Sequence, residues 1–134
     1  MRRKKMSEKE RVKKVIVIDP VTETISEGSY SSYEELYDLG NYKLFTVQMV
    51  DYNSDTNKGN DLFLDDEGLL KRNQRYFTFV GVGSFAGRGL LIGSDHATGE
   101  SVDTSWKLEQ VKRAVSFEPE GYKIEPYMEF HAFN

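Results

Sequence analysis

The chain has 134 residues, 38% hydrophobic and 13% aromatic, with a formal charge of −4 and no cysteine. That length predicts one domain, and the missing cysteine excludes disulfides, thiolate zinc sites, iron–sulfur clusters and a cysteine nucleophile. The charge is split: residues 1–14 hold eight basic and two acidic residues, a balance of +6, against −10 for 15–134, which excludes a uniformly basic nucleic-acid-binding surface.

Residues 1–11 are charged, without apolar periodicity, and predict a disordered basic arm. Residues 12–19 predict the first strand, because Val15, Ile16, Val17 and Ile18 form a continuous β-branched run, the pattern of a strand covered on both faces. Pro20 ends it, and residues 22–26 predict a short returning hairpin strand. Ser32 followed by Glu35 has capping-box spacing. It predicts a short helix over 33–39 ended by Gly40, with Tyr33, Leu36, Tyr37 and Gly40 on one face.

Residues 42–50 alternate, and Phe45, Val47 and Met49 are the expected core face. The Asp/Asn/Ser/Gly-rich stretch 51–60 predicts a loop, 61–64 a short strand, and 65–68 its turn. Strands are expected at 76–82 and 90–92, with a glycine-punctuated loop between them and a turn at 94–100. Residues 107–115 predict a helix with Leu108, Val111 and Val115 inward and Ser105 as a candidate cap. A final short strand is expected at 116–118, stopped by Pro119. The domain should therefore span 12–118. Residues 119–134 form an aromatic C-terminal extension, with Tyr122, Ile124, Tyr127, Met128, Phe130 and Phe133 either packed back or open to a partner.

No stretch is apolar enough to span a membrane, and no h-region follows the basic N-terminus, so a cytoplasmic protein without membrane association is expected. The glycine-rich segment containing Gly81, Gly83, Gly87 and Arg88, with Arg75 nearby, is a candidate ligand site. Glycines let a backbone approach phosphate, and arginine pairs with it. A phosphate loop must open a helix, whereas Leu90, Leu91 and Ile92 predict a strand. The competing reading is a bulged strand-to-strand loop. The stretch beginning at Asp51 lacks the Gly and Glu of a calcium loop, since Thr56 and Leu62 stand there. His96 and His131 have no paired spacing, and Ser84 lacks a nucleophile elbow, so neither metal chemistry, a cofactor nor a serine nucleophile is expected.

Several pieces together resemble a family: the Asp19-Pro20 end of the first strand, then Leu62-Phe63-Leu64-Asp65-Asp66-Glu67-Gly68-Leu69 with Asn73, then Gly89-Leu90-Leu91-Ile92-Gly93, Asp95, Gly99 and a closing helix with Leu108, Glu109 and Val111. Over roughly residues 14–118 this resembles the domain-of-unknown-function family numbered 3846, small proteins of phages, plasmids and integrated mobile elements. The resemblance implies a mobile-element origin and assigns no activity and no site residue.

The expected fold is α+β: one small domain, mainly an antiparallel sheet of about five strands with two short helices. The leading functional expectation is a non-enzymatic accessory protein that binds a protein partner, using the extension at Tyr122–Phe133. Alternatives are a small-ligand or nucleotide-binding protein using Arg75, Arg88 and the glycine loop, and an acidic DNA mimic acting against restriction or defence. Nucleic acid is expected to be contacted only through the basic arm, Arg2 to Lys14.

Overall fold

The β-branched run forms the centre of β1 (Lys13–Asp19), where Val15, Ile16 and Ile18 are fully buried. β2 (Thr24–Tyr30) returns antiparallel to it, with Lys13 opposite Tyr30. These elements belong to a computed structural model that describes residues 11–68 and 74–124. The chain continues through α1 (Tyr33–Gly40), β3 (Phe45–Asn53), β4 (Lys58–Asp65), β5 (Tyr76–Phe79) and β6 (Gly83–Ala86). It then forms β7 (Gly89–Asp95), β8 (Glu100–Val102), α2 (Leu108–Ala114) and β9 (Val115–Phe117).

The fold is α+β, and every strand pairing among the described residues is antiparallel. The large sheet runs β2-β1-β7-β4-β3, and a small sheet runs β6-β5-β9. β7 pairs with β4 along one edge. Its other edge is shared by β1, at residues 89–92, and β8, at 93–95. The two segments meet where the Lys14 N–H donates to Asp103 Oδ1 at 2.7 Å and the Thr104 N–H donates to the Lys14 carbonyl at 3.4 Å.

Strand alternation divides the core into two layers. On one face of the large sheet, Ile16, Ile18, Leu62, Leu64 and Leu91 pack on Phe77 and Phe79 of β5, on Val111 of α2 and on Val115 of β9. On the other, Val15, Phe63, Leu90 and Ile92 pack on Tyr30, Leu36 and Tyr42.

Three local expectations are corrected. Val47 and Met49 are not core: they are 48% and 52% exposed, and only Phe45 turns inward to stack on Phe63 at 4.7 Å. β3 is the edge strand, and the eight-residue α1, about 12 Å long, covers only part of that face. Tyr33, at the first turn of α1 and expected on its apolar face, is exposed as well. Second, residues 51–60 are not a loop. β3 and β4 run through them as a hairpin, turning at 54–57 with Asn57 at φ 58°. Polar side chains survive there because they bond one another. The buried Asn60 amide donates to Asp51 Oδ1 and Ser105 Oγ, and Asp51 Oδ2 accepts from Trp106 Nε1 at 2.6 Å. Third, the expected glycine loop contains a strand, β6.

Capping also differs in detail. Glu35 accepts from the N–H and hydroxyl of Ser31, at 2.8 and 3.0 Å, leaving Ser32 as an N-cap whose side chain caps nothing. Asn41, at φ 58°, takes the left-handed position expected of Gly40. Gly40 is small for another reason, since a Cβ there would run into the Tyr42 ring. α2 starts after Lys107, whose N–H donates to Gln110 Oε1 at 2.8 Å, so Ser105 is not its cap.

Candidate functional site

The residues singled out from the sequence do not form one site. Gly81, at φ 78°, lies in the β5–β6 hairpin turn, Gly83, at φ 151°, opens β6, and Gly87, at φ 83°, belongs to the link into β7. Arg88 reaches α1, where Nη1 donates to the Leu39 carbonyl at 3.1 Å and Nε pairs with Asp19 Oδ2 at 3.4 Å. Arg75 stays in the small-sheet layer on the other side, donating to the Glu118 carbonyl at 3.4 Å. The two guanidiniums lie in different layers and do not converge, and Arg75 Nε is buried without a hydrogen-bond partner among the described residues. In the C-terminal extension, Tyr122 packs edge-on against Tyr76 at 5.2 Å and the Ile124 N–H reaches the Tyr76 hydroxyl at 3.4 Å. Tyr127, Met128, Phe130 and Phe133 lie outside the described residues.

A pocket of about 360 Å³ opens elsewhere, lined by Lys13, Tyr30, Ser31, Ser32, Tyr33, Gly99, Glu100 and Ser101. Its volume falls near the lower end of the range for small-molecule sites. Three stretches of chain build it. β1 begins with Lys13, and the antiparallel register sets that residue opposite Tyr30 at the end of β2. Residues 31–33 then lead directly into α1, while β8 and its preceding turn close the remaining wall.

Lys13 is 6% exposed. Its ammonium donates to the Arg11 carbonyl at 3.0 Å and lies 5.7 Å from the Tyr30 ring centre, a cation–π contact. Among the described residues no carboxylate pairs with it. Tyr30 is 2% exposed, and its hydroxyl has no hydrogen-bond partner among the described residues. Burial pushes its pKa up to about 12, against the pull of the nearby Ser101 hydroxyl and with help from Tyr33 and Asp103. It therefore stays a neutral O–H donor at any ordinary pH. The Tyr33 and Ser101 hydroxyls hydrogen-bond across the pocket at 3.1 Å.

The pocket residues escaped the sequence reading, although one signal was present. Lys13 falls in phase with Val15 and Val17, on the sheet face that packs against α1, so it is a lysine in a core column rather than a member of a solvated arm.

A second surface feature is the outer edge of β3. It pairs only with β4 among the described residues, and it carries the exposed Val47 and Met49. No helix of the described residues is long and apolar enough to cross a membrane, and no cluster of three or more His, Asp or Glu among them would hold a metal ion. Comparisons with family models, curated proteins and solved structures found no match. The resemblance to family 3846 thus rests on the quoted residues alone.

Proposed function

We propose that the protein binds a small ligand in the pocket between Lys13, Tyr30, the start of α1 and β8. The observation that carries this reading is the pairing of a buried ammonium with a buried, unpartnered hydroxyl on one cavity. Each costs folding free energy when left incompletely bonded, and a ligand accepting from both would recover that cost. This takes up the small-ligand class, an alternative in the sequence analysis, in place of the leading protein-binding expectation, and moves its site away from the Gly81–Gly89 segment. Thermal denaturation against a broad metabolite panel tests it, because a ligand that binds only the folded chain must raise its melting temperature. A panel without a single stabilising compound at millimolar concentration would sink the reading.

A second reading, binding of a protein partner, draws support from β3. Among the described residues nothing pairs with the outer edge of the nine-residue β3, which carries exposed apolar side chains, the arrangement to which an extended segment adds as a further strand. An accessory role in a phage or mobile element belongs with this reading. Val47→Lys should abolish such pairing and leave ligand binding untouched. A partner that still binds Val47→Lys at full strength would remove β3 from consideration.

A further inference from the structure

The donors around the pocket have one electrostatic sign. Lys13 contributes a positive charge with two N–H groups beyond the one it gives to Arg11. Tyr30 contributes an unpartnered hydroxyl that is itself buried. Ser31, Ser32 and Tyr33 on the pocket wall are the N-terminal entry to α1. That end of the helix carries the positive end of its dipole and backbone N–H groups without an α-helical partner; Glu34 and Glu35 in the first turn offset part of it, and the Ser32 side chain does not cap it. Three independent features therefore face one small volume, and each favours an oxygen that carries negative charge.

The acidic groups nearby keep their charge, but none of Glu34, Glu35 and Asp103 lines the pocket: Glu35 accepts from the N–H and hydroxyl of Ser31, and Asp103 from the N–H of Lys14. Glu100 is half-exposed on the pocket wall, and no described basic residue pairs with it. A carboxylate there repels a second anionic group and accepts hydrogen bonds from hydroxyls. With Ser32, Ser101 and Tyr33 around it, the rest of the pocket is suited to a polyhydroxylated body.

We propose that the ligand is a small hydroxylated molecule with a single oxyanion group, a phosphate ester or carboxylate of the sugar-phosphate or sugar-acid class, its oxyanion held between Lys13, Tyr30 and the N-terminus of α1. The proposal rests on the ligand-binding reading above and narrows it. The volume suits a molecule of hexose-phosphate size rather than a dinucleotide. The Tyr33 ring already lies parallel to Phe63, 6.4 Å away, leaving that face unavailable for stacking a base.

Calorimetric titration of the full chain with glucose 6-phosphate, gluconate, glucose and inorganic phosphate tests this. At least one of the two anionic sugars should bind at least tenfold more tightly than glucose. Whichever binds better identifies the oxyanion, and inorganic phosphate should bind more weakly than glucose 6-phosphate. Lys13→Met should weaken the anionic sugar at least tenfold. Ser32→Asp is the second variant. It places a carboxylate where a helix favours one, so its melting temperature should hold or rise while anion binding is lost. That combination would not arise from a merely structural role. Glucose binding as tightly as its anionic relatives, or undiminished anion binding in both variants, overturns the oxyanion assignment and leaves a pocket for neutral ligands. Failure of all four probes, together with an unresponsive metabolite panel, overturns both readings.

Discussion

Asn60→Ala should cost the protein about 3 kcal/mol. The Asn60 side chain is 3% exposed and uses its full hydrogen-bonding capacity. Nδ2 donates to Asp51 Oδ1 at 2.9 Å and to Ser105 Oγ at 2.8 Å, while Oδ1 accepts from Thr104 Oγ1 at 2.7 Å and from the Ser105 N–H at 3.2 Å. Each such bond contributes roughly 0.5–1.5 kcal/mol net. Water can replace the amide at Asp51 and Ser105, which are exposed, but not readily at the Thr104 hydroxyl, itself 3% exposed. The loss is therefore set by one stranded buried hydroxyl plus partial loss of the other bonds, and it corresponds to a fall in Tm of roughly 10 °C for a chain of this size. Urea titration followed by tryptophan emission is the assay, because the chain has one tryptophan and it belongs to the same network. Asn60→Asp adds a second test. The new carboxyl lies against Asp51, which raises its folded pKa above its unfolded value. Its penalty should be full near neutral pH and shrink as pH falls through that raised pKa. An Asn60→Ala protein within about 0.5 kcal/mol of the parent would show that the amide cluster does not hold the hairpin to the segment before α2, and would refute this reasoning.

Lys13→Met should raise the stability of the ligand-free chain by about 1 kcal/mol in urea titration, since it removes a buried ammonium with one hydrogen bond; a lower midpoint would contradict this. Gly40→Ala should cost about 2–3 kcal/mol, because its methyl must displace the buried Tyr42 ring, and an unchanged Tm would show that the ring has room. Tyr30 ties stability to alkaline pH. With its folded pKa raised to about 12 from an ordinary 10.0, its contribution is complete below pH 10 and is lost as pH rises toward 12, by up to roughly 1.4 kcal/mol per pH unit. Tyr30→Phe should lessen that alkaline loss, and identical pH profiles would refute the assignment. Val47→Lys should change stability by no more than about 0.5 kcal/mol, as its side chain is half exposed on an edge strand. A larger loss would place Val47 in the core after all.

Where a stretch carried its own reason to fold, it was readable from the sequence. The Val15–Ile18 run became the centre of the large sheet, and Leu108 and Val111 became part of α2, while Val115, expected on the same helix, instead begins β9 of the small sheet. Where the cause was tertiary, the reading failed. The alternation of β3 is real, but its apolar side has no layer above it at Val47 and Met49. The composition of 51–60 matched a loop because hydrogen bonds between Asp51, Asn60 and Ser105, remote in sequence, are what let polar residues sit in paired strands. The pocket was hidden for the same reason. Its walls come from residues 13, 30–33 and 99–101, and the pairings of β1 with β2, of β1 with β7 and of β8 with β7 bring those stretches together.

The shared edge of β7 has a consequence for how the chain is made. β1 and β4 both need β7 as their neighbour, yet β7 is synthesised long after either of them. Until it emerges from the ribosome, β1–β2 and β3–β4 are separate hairpins with their apolar faces open, and two-stranded ribbons are marginal alone. Such long-range pairing slows folding and leaves the Val15–Ile18 run exposed during elongation, when aggregation competes. A chain stopped before Gly89 should stay unfolded. β7 is the keystone, fitted late, and the yield of folded protein in a cell depends on what shields the two waiting hairpins until it arrives.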